Sequence, residues 1–203
     1  MISTPTADQR VIGPARIEAV VIGVSAGAVE ALSVILPALP ASYSLPVMVV
    51  VHLPPDRNSI IADLFRAKCQ VKVREAEDKE LLEAGTVYFA PPDYHLLVEH
   101  DRCLSLSSEE PVHYSRPAVD VLFESAADAY GPALVGVILT GANSDGANGL
   151  RAVCGAGGIG LVQRPDQAQA KMMPQSALDA CPTAHALTLK EVAAYLLEVA
   201  SPR

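Results

Sequence analysis

Four apolar runs constrain the fold of this chain more than any other feature: "IEAVVIGV" (17–24), "LPVMVVVH" (45–52), "ALVGVIL" (133–139) and "GIGLVQ" (158–163). Each is far shorter than the ~20 residues that a membrane helix requires. Each is also too continuously apolar for a strand with one wet face, so it reads as a strand buried on both sides. Helical patterns follow each run: "AVEALSVILPAL", "NSIIADLFRAK", "DGANGLRAVCGAG" and "PQSALDAC". Buried strands alternating with helices imply a mainly parallel sheet covered on both faces, because parallel neighbours need a crossover.

The remaining segments complete a doubly wound, three-layer α/β/α domain over residues 17–203. In the middle, "VKVREA", "TVYFAPP", "YHLLVEH" and "CLSLSS" are short strand-like pieces separated by turns. They predict a hairpin meander that adds an antiparallel edge, with "EHDR" at a tip. "PAVDVLFESAADAYG" predicts a helix with Val119, Leu122, Phe123 and Ala126 on one face, stopped by Gly131. Asn58 or Ser59 is a candidate cap for the second helix. "TLKEVAAYLLEVA" closes the chain with a Thr188…Glu191 capping box. Residues 1–16 are polar, contain Pro5, Gly13 and Pro14, and read as a flexible leader.

Composition narrows the function. A net charge of −8, with 15 scattered Lys and Arg, argues against a nucleic-acid backbone as partner. The leader has no apolar core and so is no secretion signal, and a soluble cytoplasmic protein is expected. The four cysteines (69, 103, 154 and 181) form no C-x-x-C pair, which leaves no metal motif and predicts reduced thiols.

Ligands of open parallel sheets bind beyond the carboxyl ends of the strands. Ser25 follows the first strand, His52 ends the second, and "ALVGVIL" runs into "TGANSDGANG" with Thr140, Asn143, Ser144 and Asp145. Neighbouring strands lie about 5 Å apart, so side chains from adjacent ends can meet. In a hydrolase, Ser25 would attack an acyl carbon, His52 would take its proton, and Asp145 would orient the imidazole. The N–H of Ala26, at the start of a helix, is a candidate oxyanion donor. Gly23 and Gly27 suit a tight strand-to-helix turn. Each feature also has a plain structural account: Gly-x-Ser-x-Gly as a mere corner, His52 as a bonded structural residue, "NSDG" as an Asx-turn. The order Ser, His, Asp disfavours the familiar α/β-hydrolase, whose order is Ser, Asp, His. A dinucleotide site is disfavoured because Ser25 replaces the second glycine of its fingerprint and no acid follows about 20 residues on.

Beyond these residues, six stretches in order resemble the catalytic domain of the chemotaxis protein-glutamate methylesterases, the CheB family. They are "IGVSAGAVEAL", "VVVHLPPDRNSIIADLF", "GTVYFAPPDYHLLV", "SRPAVDVLFESAA", "GVILTGANSDGANGLRAV" and "RPDQAQAKMMPQSAL". The resemblance implies a catalytic triad of Ser25, His52 and Asp145, and hydrolysis of glutamate γ-methyl esters on chemoreceptors. It implies deamidation of receptor glutamines as a second activity, and no metal or organic cofactor. The methyl-accepting receptor is the implied partner, in bacterial chemotaxis signalling. The family's aspartate loop is usually Thr-Gly-Met-Gly, and Ala142 and Asn143 stand here in the last two places; Ala28 and Met172 replace glycines. These departures motivate a competing reading, a low-activity or non-catalytic regulatory module that docks on signalling partners. Ala142 and Asn143 are expected at the oxyanion and substrate side of the cleft. Asp166 and Met173 are expected at its wall, with core packing the competing account of Met173. Arg116 and Asp120, at i and i+4, are expected to form a surface ion pair, with a role for "SRPAVD" in bracing the site as the alternative. His95 is expected to be structural, and His100 and His113 solvent-facing. The leader is too short for the family's receiver domain, so a stand-alone member or a fragment, regulated by a separate partner, is expected.

Overall fold

The structure, a computed structural model, describes residues 16–52 and 60–201. Leader residues 1–15 and the candidate caps Asn58 and Ser59 lie outside them. Seven parallel strands form one sheet, in the order β3-β4-β2-β1-β7-β8-β9. At its centre are β1 (Ala19–Val24), β2 (Val47–Val51), β7 (Leu134–Ile138) and β8 (Ile159–Gln163). These are the four apolar runs, and nearly every residue in them is buried.

Period-two alternation sorts the residues of these strands between two cores. Val20 and Ile22 of β1, with Val47 and Val49 of β2, face a core that includes α1 (Ala28–Ile35), α2 (Ile60–Arg66) and α6 (Leu189–Ala200). Ala19, Val21, Met48 and Val50 face the opposite core, which includes α3 (Val119–Tyr130), α4 (Ala147–Gly155) and α5 (Met172–Ala180). Fully burying one such Val, Ile or Leu contributes about 1.5–3 kcal/mol, which is why the sheet reads as continuous apolar sequence. The expected face of α3 is fully buried, and Gly131 ends that helix at φ 53°. Both bonds of the Thr188–Glu191 capping box are present, at 2.8 and 3.2 Å.

The middle of the chain departs from the expected meander. β3 (Lys72–Glu75) and β4 (Thr86–Phe89) are parallel members of the main sheet, paired side by side. The connection between them is irregular rather than helical, so helical periodicity gave no sign of a crossover. Only β5 (His95–Val98) and β6 (Leu104–Ser107) form a hairpin, as a separate two-stranded sheet around the expected 99–102 tip. It shares the core of α3 through Leu96, Val98 and Leu104. β9 (His185–Leu187) closes the other edge.

This topology positions three strand ends. From β1 the chain first moves one way to β2 and later returns to place β7 on the other side of β1. Such a reversal opens a crevice at the carboxyl ends of the strands.

Candidate active site

The ladder continues past the strands and fixes the three loop starts relative to one another. The N–H of His52 donates to the Val24 carbonyl at 3.2 Å, and the N–H of Ser25 donates to the Thr140 carbonyl at 2.9 Å. Ser25 therefore stands between the ends of β2 and β7. Gly27, the N-cap of α1, has φ 84°, a left-handed conformation that favours glycine. A Cβ there would lie 2.5 Å from Gln169 Oε1. At Gly23 a Cβ would lie 2.3 Å from Val119 Cγ1, so the missing side chain lets the start of α3 approach β1.

That approach serves Asp145. Its carboxylate is fully buried and accepts three hydrogen bonds. The N–H of Val119 donates to Oδ2 at 2.7 Å, and that of Asp120 to Oδ1 at 2.9 Å. His52 Nε2 donates to Oδ2 at 2.7 Å. Burial pushes the carboxyl up, but the bonds from His52, Asp120 and Val119 outweigh it and leave it below the ordinary carboxylate range. An ionised Asp145 accepts only, so Nε2 carries a ring proton, and in the neutral ring Nδ1 carries the free lone pair.

Asn143 occupies that lone pair. Its Oδ1 accepts the Asp145 N–H at 3.2 Å in an Asx-turn, as the plain reading of "NSDG" anticipated. Its Nδ2 then faces His52 Nδ1 at 3.2 Å. Asn143 thus contacts the imidazole directly, a contact that the sequence did not suggest. Among the described residues nothing hydrogen-bonds to the Ser25 hydroxyl.

The other expected site residues are divided. Ala26 and Ala142 are exposed beside Ser25 and Asn143. Thr140 ties the two loops together: its hydroxyl donates to the Ala26 carbonyl at 2.8 Å and accepts the Ala170 N–H at 2.9 Å. Met173 does not line the cleft. It is fully buried, and its N–H donates to the Gly141 carbonyl at 3.0 Å, so it packs beneath the aspartate loop. Asp166 is exposed and paired with Arg164 at 2.9 Å.

Arg116 and Asp120 do not pair, because Arg116 precedes α3 instead of lying on it. Arg116 donates to the carbonyls of Ser108 and Glu109 at 3.1 and 3.0 Å, and lies 3.6 Å from Asp93. Asp120 is buried behind Asp145 and accepts the Gly149 N–H at 2.7 Å. His113, though half exposed, lies 3.3 Å from Asp120 and so is not free in solvent. "SRPAVD" braces the site through backbone N–H groups, which no side-chain pattern could reveal. His95 is structural: buried, with Nδ1 accepting the Ala118 N–H at 3.2 Å. His100 is exposed.

A cavity of about 170 Å³ opens beside His52, lined also by Asp93, Tyr114, Ser115 and Arg116. Among the described residues no group of three His, Cys, Asp or Glu is placed to hold a metal ion. Nor is any described helix long and apolar enough to cross a membrane.

Comparison with known proteins turns this geometry into an assignment. The family described as CheB methylesterase matches residues 20–196. The chain belongs to the CheB methylesterase family. Within it, a putative protein-glutamate methylesterase/protein-glutamine glutaminase of Leptospira interrogans is 46% identical over 87% of this chain and 91% of its own length. A protein-glutamate methylesterase/protein-glutamine glutaminase of Archaeoglobus fulgidus is 37% identical over 79% of this chain and 47% of its own length. The crystal structure of the Thermotoga maritima CheB methylesterase catalytic domain superposes with a TM-score of 0.86 at 31% identity, covering 90% of this chain and 98% of that one. The α/β architecture of this CheB domain is therefore that of the family's catalytic domain.

Proposed function

We propose that this chain is a serine hydrolase that cleaves glutamate γ-methyl esters on chemoreceptors, with deamidation of receptor glutamines as a second activity. The observation that carries the reading is the His52–Asp145 bond at 2.7 Å beside Ser25, on the strand next to β2. The names of the relatives support the substrate class.

Ser25 Oγ attacks the ester carbonyl as its proton passes to His52 Nδ1. The imidazolium keeps its Nε2–H on Asp145, whose charge stabilises it. Collapse of the tetrahedral intermediate breaks the bond to methoxide, which takes the proton from Nδ1 and leaves as methanol. Water then attacks the acyl-enzyme, giving its proton to Nδ1, and the proton returns to Ser25 as the glutamate carboxylate departs. With glutamine the leaving group is ammonia. The backbone N–H groups of Ala26 and Ala142, both exposed residues, are the proposed oxyanion donors, a role that needs only backbone, so the loss of the usual methionine side chain leaves it in place.

Ser25→Ala and His52→Gln are each expected to lower methanol release from methylated receptor by ~10⁴-fold or more, since nucleophile and base act as one unit. A fluorophosphonate should label wild type once, at Ser25. Undiminished turnover by Ser25→Ala would remove Ser25 from the mechanism. The substitutions at Ala28, Ala142 and Asn143 favour a second reading, a low-activity regulatory module, which binding of receptor without labelling would support.

A further inference from the structure

One lone pair is sought by two donors. An imidazole nitrogen without a proton accepts a single in-plane hydrogen bond. His52 Nε2 is committed to Asp145, so Nδ1 is the nitrogen left to receive the Ser25 proton. Asn143 Nδ2 already lies on Nδ1 at 3.2 Å. The orientation of that amide is fixed independently, because its other end accepts the Asp145 N–H, which a nitrogen could not do.

We infer that Asn143 is a positioning residue that caps the base nitrogen of His52, so that the resting site is closed to proton transfer until Asn143 swings away. This rests on the reading of Ser25 and His52 as nucleophile and base. Ser25 Oγ–H and the Asn143 amide are mutually exclusive partners of Nδ1. Protonation at Nδ1 would also set an N–H against the amide N–H, two donors face to face. The amide must therefore leave before or as the proton moves. The cap holds His52 in the Nε2–H tautomer that the reaction needs, and holds back the reaction at the same time. The glycine usual at this place in the family has no side chain to do either.

The test compares wild type with Asn143→Ala and Asn143→Ser, the serine retaining a hydroxyl that can accept the Asp145 N–H should the alanine variant fold poorly. Fluorophosphonate labelling of Ser25 is expected to become about fivefold faster in both, the equilibrium value of one neutral hydrogen bond. In protein labelled with ¹⁵N-histidine, the Nδ1 resonance of His52, assigned by its loss in His52→Gln, should move downfield as its donor is removed. A role confined to loop stability would move neither in this direction. Equal or slower labelling in both variants overturns the gate, and an unmoved Nδ1 resonance overturns the cap itself. Labelling that persists in Ser25→Ala, or is missing from every variant, overturns the nucleophile reading and the gate with it, while the resonance still reports separately on the Asn143 contact.

Discussion

Asp145 does three tasks through two oxygens: it orients His52 and it ends two buried backbone donors of α3. An amide cannot reproduce this. In Asp145→Asn, one side-chain position becomes an NH₂ that faces the Val119 or Asp120 N–H. If it takes the place of Oδ2 it faces His52 as well as Val119, and the ring proton moves to Nδ1, where the proposed reaction needs a lone pair. Turnover is expected to fall by ~10⁴-fold. Stability in urea should fall by about 1–3 kcal/mol, the cost of an unsatisfied buried donor. Turnover within tenfold of wild type would dismiss the tautomer account. That Ser25, His52 and Asp145 stand at neighbouring strand ends was legible in the sequence, because each ends an apolar run or follows one. The contacts of Asn143, His113 and Arg116 were not, because they depend on how loops fold back, which carries no periodicity. For Met173 the core account holds and the cleft-wall account fails, since a methionine after a strand suits either place and only packing decides.

Elements position the site through one close packing. Val119 opens α3 directly against Gly23 of β1, and the N–H of the same residue holds Asp145. Gly23→Ala would insert a methyl where Val119 Cγ1 stands, so α3 must shift away from the strand. Overpacking of this kind costs about 1–3 kcal/mol. Labelling of Ser25 should slow as well, because the shift carries the donors of Asp145 with it. Thr188→Ala is the matched control at α6: it removes the capping box, costs about 1 kcal/mol, and leaves labelling unchanged. Equal labelling in both variants would separate stability from site geometry and defeat the account. Strand-and-helix order was legible where helices separate the strands. It failed at β3 and β4, because an irregular crossover looks like a hairpin connection when only turn residues are read.

The whole molecule's response to acid follows from two buried carboxylates in contact through the start of α3. Burial pushes the Asp120 carboxyl up; the Gly149 N–H opposes this, and the neighbouring Asp145 charge adds to it. Asp145 lies on the other side of the ordinary value, held down chiefly by His52 and the α3 N–H groups against its own desolvation. The unfolded value for both is about 3.9. As pH falls from neutral through the raised folded value of Asp120, the native state takes up a proton before the unfolded chain does, and stability rises. Below about pH 4 the unfolded chain protonates the equivalent of Asp145 first, so the stability that Asp145 contributes is lost as pH falls through its lowered folded value. The urea midpoint is therefore expected to pass through a maximum on the acid side of neutrality. Exposed carboxylates held low by partners, such as Glu191 and Asp166, add to the lower limb, so difference curves against variants isolate the pair. Asp120→Asn keeps an acceptor for Gly149 and should abolish the rise, measured in a His113→Gln background so that loss of the His113 contact does not contribute. Asp145→Asn should make the fall below pH 4 shallower. A difference curve for Asp120→Asn that is flat from neutrality down to about pH 4 would show that burial, with the Asp145 charge beside it, does not raise the Asp120 carboxyl in the fold.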